Sequence, residues 1–159
     1  MSVVNAEQVA TVESLGKVIW KQHYTPIIGV DQVDYMLNKF QSVSAINDQI
    51  FQGDEYYLIL NEEDPIGYIS LQKREQSLFL SKFYIHKEAR GKGYGKLSLD
   101  FIHNRAKELG CKSIDLTVNK YNTNSIEAYK RMGFDITEEV VFDIGNGFIM
   151  DDYKMKKLL

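Results

Sequence analysis

A glycine-rich stretch constrains the fold most strongly, because it separates a β-rich run from a helical pattern. The segment reads "RGKGYG" from Arg90 to Gly95 and leads directly into "KLSLDFI". A glycine in a helical turn costs about 1 kcal/mol relative to alanine, so alternate glycines indicate a backbone that must come close to a ligand. The first amides of a helix have no internal partner and carry the positive end of its dipole. With Arg90, Lys92 and Lys96 around them, these amides predict a phosphate site.

Three other interpretations compete with a phosphate site of this kind. A dinucleotide fingerprint that starts at Gly93 requires a third glycine where Ser98 stands, and it requires a parallel sheet. A P-loop requires a glycine at position 90 and a hydroxyl at position 97, where the chain has Arg90 and Leu97. A flexible turn without any ligand also stays open, although a plain turn rarely needs alternate glycines before a strong helix.

The composition is that of an ordinary globular protein. The chain has 159 residues with no repeat and no flexible linker, so we predict a single domain over residues 1–159. Its net charge of −3 argues against a nucleic-acid partner. No apolar run approaches the roughly 18 residues of a membrane span and no signal peptide is visible, so we expect a cytoplasmic protein with no membrane partner. The histidines and the single cysteine show no metal-ligand spacing, so no metal is expected.

The hydrophobic periodicity changes along the chain. An apolar face that includes Val9 and Ile19 predicts a helix that ends near Pro26, and Asp31 is the expected N-cap of a second helix. From Tyr56 onward, short β-rich runs alternate with turn residues and then with two helices. The C-terminal tail predicts two strands around a Gly-Asn-Gly turn. This order predicts an α+β fold with one central sheet.

Two motifs resemble those of one known family. Arg-x-x-Gly-x-Gly, from Arg90 to Gly95, resembles the acetyl-coenzyme A motif of the GNAT superfamily of N-acetyltransferases. The run "YNTNSIEAYKRMGF" resembles the second signature of the same superfamily, with Asn122, Ser125 and Tyr129 at its key places. The resemblance covers residues 56–134 and implies a GNAT-like single domain with a mostly antiparallel mixed sheet flanked by helices. Both ends of the chain look similar to bacterial polyamine acetyltransferases of the PaiA kind.

The resemblance implies that acetyl-coenzyme A is the cosubstrate and that three groups of residues bind it. The cofactor-binding residues are the main chains of Phe83, Tyr84 and Ile85, the loop residues Arg90, Gly91, Lys92, Gly93, Tyr94, Gly95 and Lys96, and the second-motif residues Asn122, Ser125 and Tyr129. Asn122 has an alternative interpretation as a plain turn or N-cap residue.

In this family the acetyl group passes directly to an amine, so the resemblance also implies an acid and a base. Tyr129 is the candidate acid for the leaving thiolate, because its hydroxyl has an ordinary pKa of about 10; its alternative role is to pack in the core. Tyr84 and Glu55 are candidates for the base that deprotonates the substrate ammonium. A water relay is the third possibility.

The acceptor is predicted to be a small primary amine, with polyamines and diamines first. Trp20, Tyr24 and Tyr35 are candidates to line an amine-accepting groove, and packing within the helix core is their alternative role. Acidic groups such as Glu138-Glu139 and Asp151-Asp152 would favour a polycation if they met at one groove. Two other functions stay open, a peptide or protein N-terminal acetyltransferase and a non-catalytic acetyl-coenzyme A sensor. A homodimer is possible by analogy.

Overall fold

A computed structural model of the chain describes residues 1–159. The helices are α1 (Ala6–His23), α2 (Thr25–Ile28), α3 (Val30–Phe40), α4 (Val43–Phe51), α5 (Tyr94–Glu108) and α6 (Thr123–Arg131). The strands are β1 (Glu55–Asn61), β2 (Asp64–Lys73), β3 (Ser77–Ile85), β4 (Ser113–Asn119), β5 (Asp135–Gly145) and β6 (Phe148–Leu158). A 3₁₀ turn, Lys87–Ala89, follows β3. No helix has both the length and the apolar character needed to cross a membrane.

Helix α1 begins at a reciprocal cap. The Asn5 side chain accepts a hydrogen bond from the Gln8 amide at 2.9 Å, and the Gln8 side chain accepts one from the Asn5 amide at 3.2 Å. This arrangement satisfies amides that the first helical turn leaves unpaired. The predicted apolar face of the helix, including Val9 and Ile19, is buried.

The chain between α1 and β1 differs from the prediction in two respects. Asp31 is not an N-cap, because α3 already begins at Val30, directly after Gly29. Gly29 has a φ of +85°, and this left-handed conformation suits glycine at the chain reversal. Helix α4 was not predicted at all. Its N-terminus depends on a distant residue, since the Glu13 side chain accepts a hydrogen bond from the Val43 amide at 2.8 Å.

The six strands form one sheet in the order β1-β2-β3-β4-β6-β5. β1–β2, β4–β6 and β5–β6 are antiparallel pairs, whereas β3 and β4 are parallel. The parallel register joins Ser77–Phe79 to Ser113–Asp115. The predicted α+β fold with a mostly antiparallel mixed sheet is therefore confirmed.

The chain divides into two compact units, and the first contains residues 1–72 and 81–102. Its hydrophobic core combines α1, α4, β1 and β2 through the buried residues Val3, Val9, Val12, Ile19, Ile46, Tyr56, Leu58 and Tyr68. The first residues of the chain run beside β1, because the Val3 amide donates to the Tyr56 carbonyl at 2.9 Å and the Leu58 amide donates to the Met1 carbonyl at 2.8 Å.

The second unit contains residues 73–80 and 103–159. Buried apolar residues on β4, α6 and β6 include Ile114, Leu116, Ile126 and Met155. The β5–β6 hairpin turns at Asn146 and Gly147, whose φ angles of +54° and +77° are those of a type I′ turn. β5 is an edge strand and most of its residues are exposed, including Val141 at 62% and Phe142 at 40%.

Glycine at position 67 allows β3 to pass very close to β2. A Cβ atom added to Gly67 would lie 2.3 Å from the carbonyl oxygen of Tyr84 and 3.1 Å from the Cα of Ile85. Both contacts are with backbone, which cannot rotate away as a side-chain end can. The approach continues beyond the strand, where the His86 amide donates to the Ile66 carbonyl at 2.7 Å.

We expect Gly67→Ala to lower the free energy of unfolding by about 1–3 kcal/mol, because overpacking against backbone forces β2 and β3 apart. Urea denaturation of the variant and of the wild type measures this difference. The matched control is Gly95→Ala, where an added Cβ meets no atom within 4 Å, so this variant should be at least as stable as the wild type, because alanine is the better helix former. Equal stabilities for the two variants would contradict the proposed close approach.

Candidate active site

The glycine-rich stretch forms the connection between β3 and α5. The side chain of Arg90 anchors its beginning, since Nε donates to the Ile85 carbonyl at 3.1 Å. Gly91 and Gly93 have φ angles of +74° and +88°, a left-handed conformation that other residues rarely adopt. The first hydrogen bond of α5 joins the Leu97 amide to the Gly93 carbonyl at 3.2 Å. The amides between these two residues therefore belong to the first, unpaired turn of the helix.

The space beside this loop is open. A Cβ atom added at any of the three glycines meets no atom within 4 Å, and Arg90, Lys92 and Lys96 are exposed. From Ala89 to Leu99 the chain carries these three cations and no acidic residue. Unpaired amides, an accessible backbone and a local excess of positive charge are the properties that an anion-binding helix start needs. The residues present therefore fit the pyrophosphate of a coenzyme A group.

One main-chain carbonyl at the end of the strand before the loop already accepts a hydrogen bond within the chain. Phe83, Tyr84 and Ile85 form the C-terminal end of β3, where main-chain contacts with the cofactor are predicted. The carbonyl of Ile85 accepts from Arg90, and the carbonyl of Tyr84 is the atom closest to Gly67. Any contact from this strand to a cofactor therefore depends on the remaining main-chain groups.

Three aromatic side chains of the first unit gather around a fourth, that of Tyr84. The ring of Trp20 lies 4.5 Å from that of Tyr24 and 5.6 Å from that of Tyr84, and the rings of Tyr68 and Tyr84 are 5.4 Å apart. Trp20 and Tyr68 are buried, whereas Tyr24 and Tyr84 are partly exposed. We call these four residues the aromatic cluster. It unites two of the predicted acceptor residues with one of the predicted bases.

Tyr68 is the member of the aromatic cluster that the sequence analysis missed. It is fully buried, and its hydroxyl donates to Gln41 Oε1 at 2.8 Å. A Cβ atom at Gly16 would lie 2.9 Å from this hydroxyl, so the absence of a side chain on α1 leaves room for it. The alternation of β2 marks Tyr68 as an inward-facing residue, but no local signal connects it with Trp20 and Tyr84.

Tyr35 and Glu55 each contact a residue outside the aromatic cluster. Tyr35 is on α3, where its hydroxyl is 3.4 Å from Lys39 Nζ. Glu55 accepts a hydrogen bond from the Tyr57 hydroxyl at 2.6 Å, and the ring of Tyr57 packs against Phe101 of α5. The Glu55 side chain therefore lies on the face of the sheet that α5 covers, whereas the Tyr84 ring lies on the face that packs against α1. Of the two base candidates, only Tyr84 is near the predicted acceptor residues.

The second unit contains the other predicted residues, on and beside α6. Asn122 is 3% exposed and is the N-cap residue of α6, although its side chain makes no capping hydrogen bond, so both of its interpretations stay open. Its amide donates to the Asn119 carbonyl at 3.0 Å. Ser125 and Tyr129 are partly exposed on the helix, and the ring of Tyr129 is 5.5 Å from that of Phe134. The cofactor and acid roles of these residues stay predictions.

The sequence matches the model of the Acetyltransferase (GNAT) family over residues 20–134. The chain belongs to the GNAT family. The resemblance inferred from the two motifs is thus confirmed.

Curated relatives match this GNAT chain over part of their length. The uncharacterized N-acetyltransferase YycN of Bacillus subtilis is 30% identical over 88 residues, which cover 53% of this chain and 56% of that protein. A spermine/spermidine N(1)-acetyltransferase of Bacillus subtilis is 34% identical over 67 residues, 42% of this chain and 44% of that protein. The matched segment thus spans about half the length of these relatives.

Solved structures confirm the GNAT fold over nearly the whole chain. The PaiA N-acetyltransferase of Thermoplasma acidophilum, in complex with coenzyme A, has a TM-score of 0.83 and covers 98% of this chain and 96% of its own. The sequence identity is 19%, so the likeness shows the fold alone.

A buried lysine lies two residues before Tyr84 on β3. Lys82 Nζ donates to Gln49 Oε1 and to the Tyr56 hydroxyl, both at 2.7 Å, and the Tyr56 hydroxyl also donates to Gln49. The side chain is 6% exposed and its two partners are neutral. Burial lowers the pKa of Lys82 to about 8, and the charge of Asp54 opposes this shift. The three side chains join β3 to β1 and α4 in the unit that contains the aromatic cluster.

The low pKa of Lys82 predicts an unusual pH dependence of stability. The Lys82 amine loses its proton near pH 8 in the folded state and near pH 10.5 in the unfolded state. Between these two pH values the unfolded state therefore binds more protons than the folded state. The free energy of unfolding should therefore increase with pH, by roughly 1.5 kcal/mol from pH 8 to 9.5. Denaturant unfolding across this range measures the increase. Lys82→Met should abolish it, whereas the exposed-lysine control Lys17→Met should retain it; an increase that survives in Lys82→Met would assign it to another group.

Proposed function

We propose that the chain acetylates a primary amine of a polyamine or diamine, using acetyl-coenzyme A. The aromatic cluster carries this proposal, because indole and phenol rings attract alkylammonium groups. The similarity to spermine/spermidine acetyltransferases supports the same acceptor class. The net charge of −3 is compatible with a cationic substrate.

The glycine-rich loop is proposed to hold the cofactor. The amides at the start of α5 bind the pyrophosphate, and the three basic residues at positions 90, 92 and 96 compensate its charge. The main chain from Phe83 to Ile85 orients the pantetheine arm, and the family resemblance assigns further polar contacts with the cofactor to Asn122 and Ser125. Acetyl-coenzyme A supplies an acetyl thioester, which is an activated acyl group.

The aromatic cluster is proposed to hold the acceptor. The half-exposed rings of Tyr24 and Tyr84 contact the alkylammonium. The buried ring of Trp20 packs against both of them. The amine must lose a proton before it attacks, since its ordinary pKa is near that of lysine at about 10.4. Tyr84 or a water molecule bound to its hydroxyl takes this proton. Tyr129 gives a proton to the leaving sulfur.

A peptidyl-lysine acceptor is the second candidate. The peptidyl-lysine N-acetyltransferase YjaB of Salmonella typhimurium is 23% identical over 118 residues, which cover 72% of this chain and 75% of that protein. A lysine side chain presents the same alkylammonium as a polyamine, so the aromatic cluster favours neither acceptor by itself. Peptide N-terminal acetylation and cofactor sensing without turnover are further alternatives.

The first test is thiol release from acetyl-coenzyme A with spermidine, spermine, putrescine, butylamine and lysine-containing or N-terminal peptides. We expect turnover with the polyamines and diamine, and a kcat/KM for the peptides at least tenfold lower. Preference for the peptides would reject the polyamine proposal and leave the acetyltransferase class intact. No turnover with any amine, together with saturable cofactor binding, would favour the sensor.

Two matched variants test the aromatic cluster. We expect Tyr24→Leu to raise the KM for spermidine about tenfold, because loss of one cation–π contact of about 1–2 kcal/mol weakens binding by that order. Its KM for acetyl-coenzyme A should not change. Phe51→Leu removes an aromatic ring that is 93% exposed on α4 and should leave both KM values unaltered. A larger effect for Phe51→Leu than for Tyr24→Leu would place the acceptor elsewhere.

Gly95→Ala tests the cofactor loop. The added methyl group projects into open space, so we expect normal folding but a KM for acetyl-coenzyme A raised about tenfold through obstruction of the pyrophosphate. The KM for spermidine is the internal control and should stay constant. An unchanged cofactor KM would mean that the pyrophosphate lies outside this turn.

A further inference from the structure

The proposed reaction needs a final acceptor for the proton that the amine loses. A tyrosine hydroxyl can pass a proton on, but a phenol still holds its own proton at neutral pH. With ordinary pKa values of about 10 for a phenol and about 6.5 for an imidazole, about 0.3% of a phenol and about 90% of an imidazole are deprotonated at pH 7.5. A histidine beside the aromatic cluster is therefore a far more available proton acceptor than a tyrosine within it.

One histidine of the first unit contacts the aromatic cluster. His23 is the last residue of α1, and its ring lies 4.8 Å from that of Tyr24 in an edge-to-face arrangement at 89°. The ring of Tyr24 in turn lies 6.4 Å from that of Tyr84. The imidazole is thus next to a ring that is proposed to contact the alkylammonium. His23 is partly exposed, so its ring can also exchange a proton with solvent.

The position of His23 at the end of α1 favours a proton on its ring. The helix is 18 residues long, and the C-terminal end of a helix carries the negative end of its dipole, which stabilises a cation in the last turn. Lys21 belongs to the same turn but is exposed, where solvent and salt screen its charge. An imidazolium that forms at His23 is therefore stabilised by the helix.

The other candidates for this proton are less suitable. His86 Nδ1 accepts a backbone hydrogen bond at 3.3 Å that caps the 3₁₀ turn, and His103 belongs to the second unit. Glu55 lies on the face of the sheet that α5 covers. Lys82 is buried with a pKa of about 8, so most of its amine still holds a proton at pH 7. The histidine at the end of α1 remains.

The elements around α1 contain no second imidazole. Helices α2, α3 and α4 pack against α1, and α2 has no charged residue. The charged and titratable side chains of α3 and α4 are Asp31, Asp34, Tyr35, Lys39 and Asp48. The aromatic cluster adds only its tyrosines from the sheet. Histidine is the side chain whose charge ordinarily changes between pH 5 and 8, so an inflection in this range reports on His23.

We propose that the His23 imidazole is the base that accepts the proton of the acceptor ammonium. This inference rests on the proposed function, because it places the ammonium against Tyr24. An N–H bond of the ammonium breaks and an N–H bond forms on the imidazole, directly or through the hydroxyl of Tyr84 and its water. The freed lone pair of the amine forms the amide bond as the thioester C–S bond breaks, and the imidazolium returns its proton to solvent.

The first test is the pH dependence of kcat with saturating spermidine and, in parallel, with a lysine-containing peptide. For the wild type we expect kcat to fall about tenfold per pH unit below a single inflection between pH 5 and 8, because a protonated imidazole cannot accept a proton. His23→Gln keeps a polar side chain that takes up no proton. Its kcat at pH 7.5 should be about 100-fold lower, without the inflection. An unchanged kcat, or a lower kcat that keeps the inflection, would overturn the proposal.

Lys21→Gln is the matched control. It removes a positive charge from the same end of α1 and leaves the imidazole in place, so kcat and its inflection should stay as in the wild type. A loss equal to that of His23→Gln would assign the effect to charge at the helix end and would also overturn the proposal.

Binding provides a readout that needs no turnover. Proton NMR follows the ionisation of each imidazole, and the resonance that is missing from His23→Gln identifies His23. With coenzyme A bound, saturating spermidine or peptide should move the midpoint for His23 to lower pH, because a nearby ammonium disfavours the imidazolium. A midpoint that neither acceptor moves would overturn the inference, whatever amine the enzyme acetylates.

The two acceptors separate failure of this inference from failure of the proposed function. If the wild type acetylates the peptide but not spermidine, and His23→Gln loses peptide turnover together with the inflection, the polyamine proposal is wrong and His23 is still the base. If the wild type acetylates spermidine and His23→Gln does so equally fast, the proposed function holds and the inference is wrong.

Discussion

The close approach of β3 to β2 at Gly67 governs the arrangement of the first unit. Because no side chain separates the strands there, the carbonyl of Tyr84 can lie almost against the Cα of Gly67. The ring of Tyr84 then reaches Tyr68 and Trp20, and the carbonyl of Ile85 is free to anchor Arg90 at the start of the glycine-rich loop. One missing side chain in β2 thus sets the positions of the proposed acceptor and phosphate groups together.

Local patterns predicted much of the fold. The glycine-rich loop, the face of α1 and the final hairpin depend on residues close in sequence, and the Gly-Asn-Gly turn has only a few conformations available. The prediction that α3 has its N-cap at Asp31 was wrong because a glycine lies two residues before it. The positive φ of Gly29 turns the chain there, and the helix begins directly afterwards at Val30. Helix α4 has a local N-cap in Ser42, whose hydroxyl accepts from the Ala45 amide, but its N-terminus also depends on Glu13, thirty residues earlier, and no local pattern shows that contact.

The candidate site was predicted less completely, for the same reason. The motifs indicated the loop, and aromatic residues on α1 indicated an acceptor wall. The inclusion of Tyr68 and the separation of Glu55 from Tyr84 both depend on which faces of the sheet the helices cover. Lys82 looks like an ordinary charged strand residue in the sequence. Only the folded structure shows that it is buried and that its two hydrogen-bond partners are neutral.

The exposed edge of the sheet has a consequence for solubility. β5 leaves one side of its backbone unpaired over eleven residues and exposes Val141 and Phe142, a surface on which another strand could form hydrogen bonds. The same strand contains Asp135, Glu138, Glu139 and Asp143 but no basic residue. Two such edges therefore repel each other at neutral pH. The charge of the strand thus protects the backbone edge that its position in the sheet leaves open to pairing.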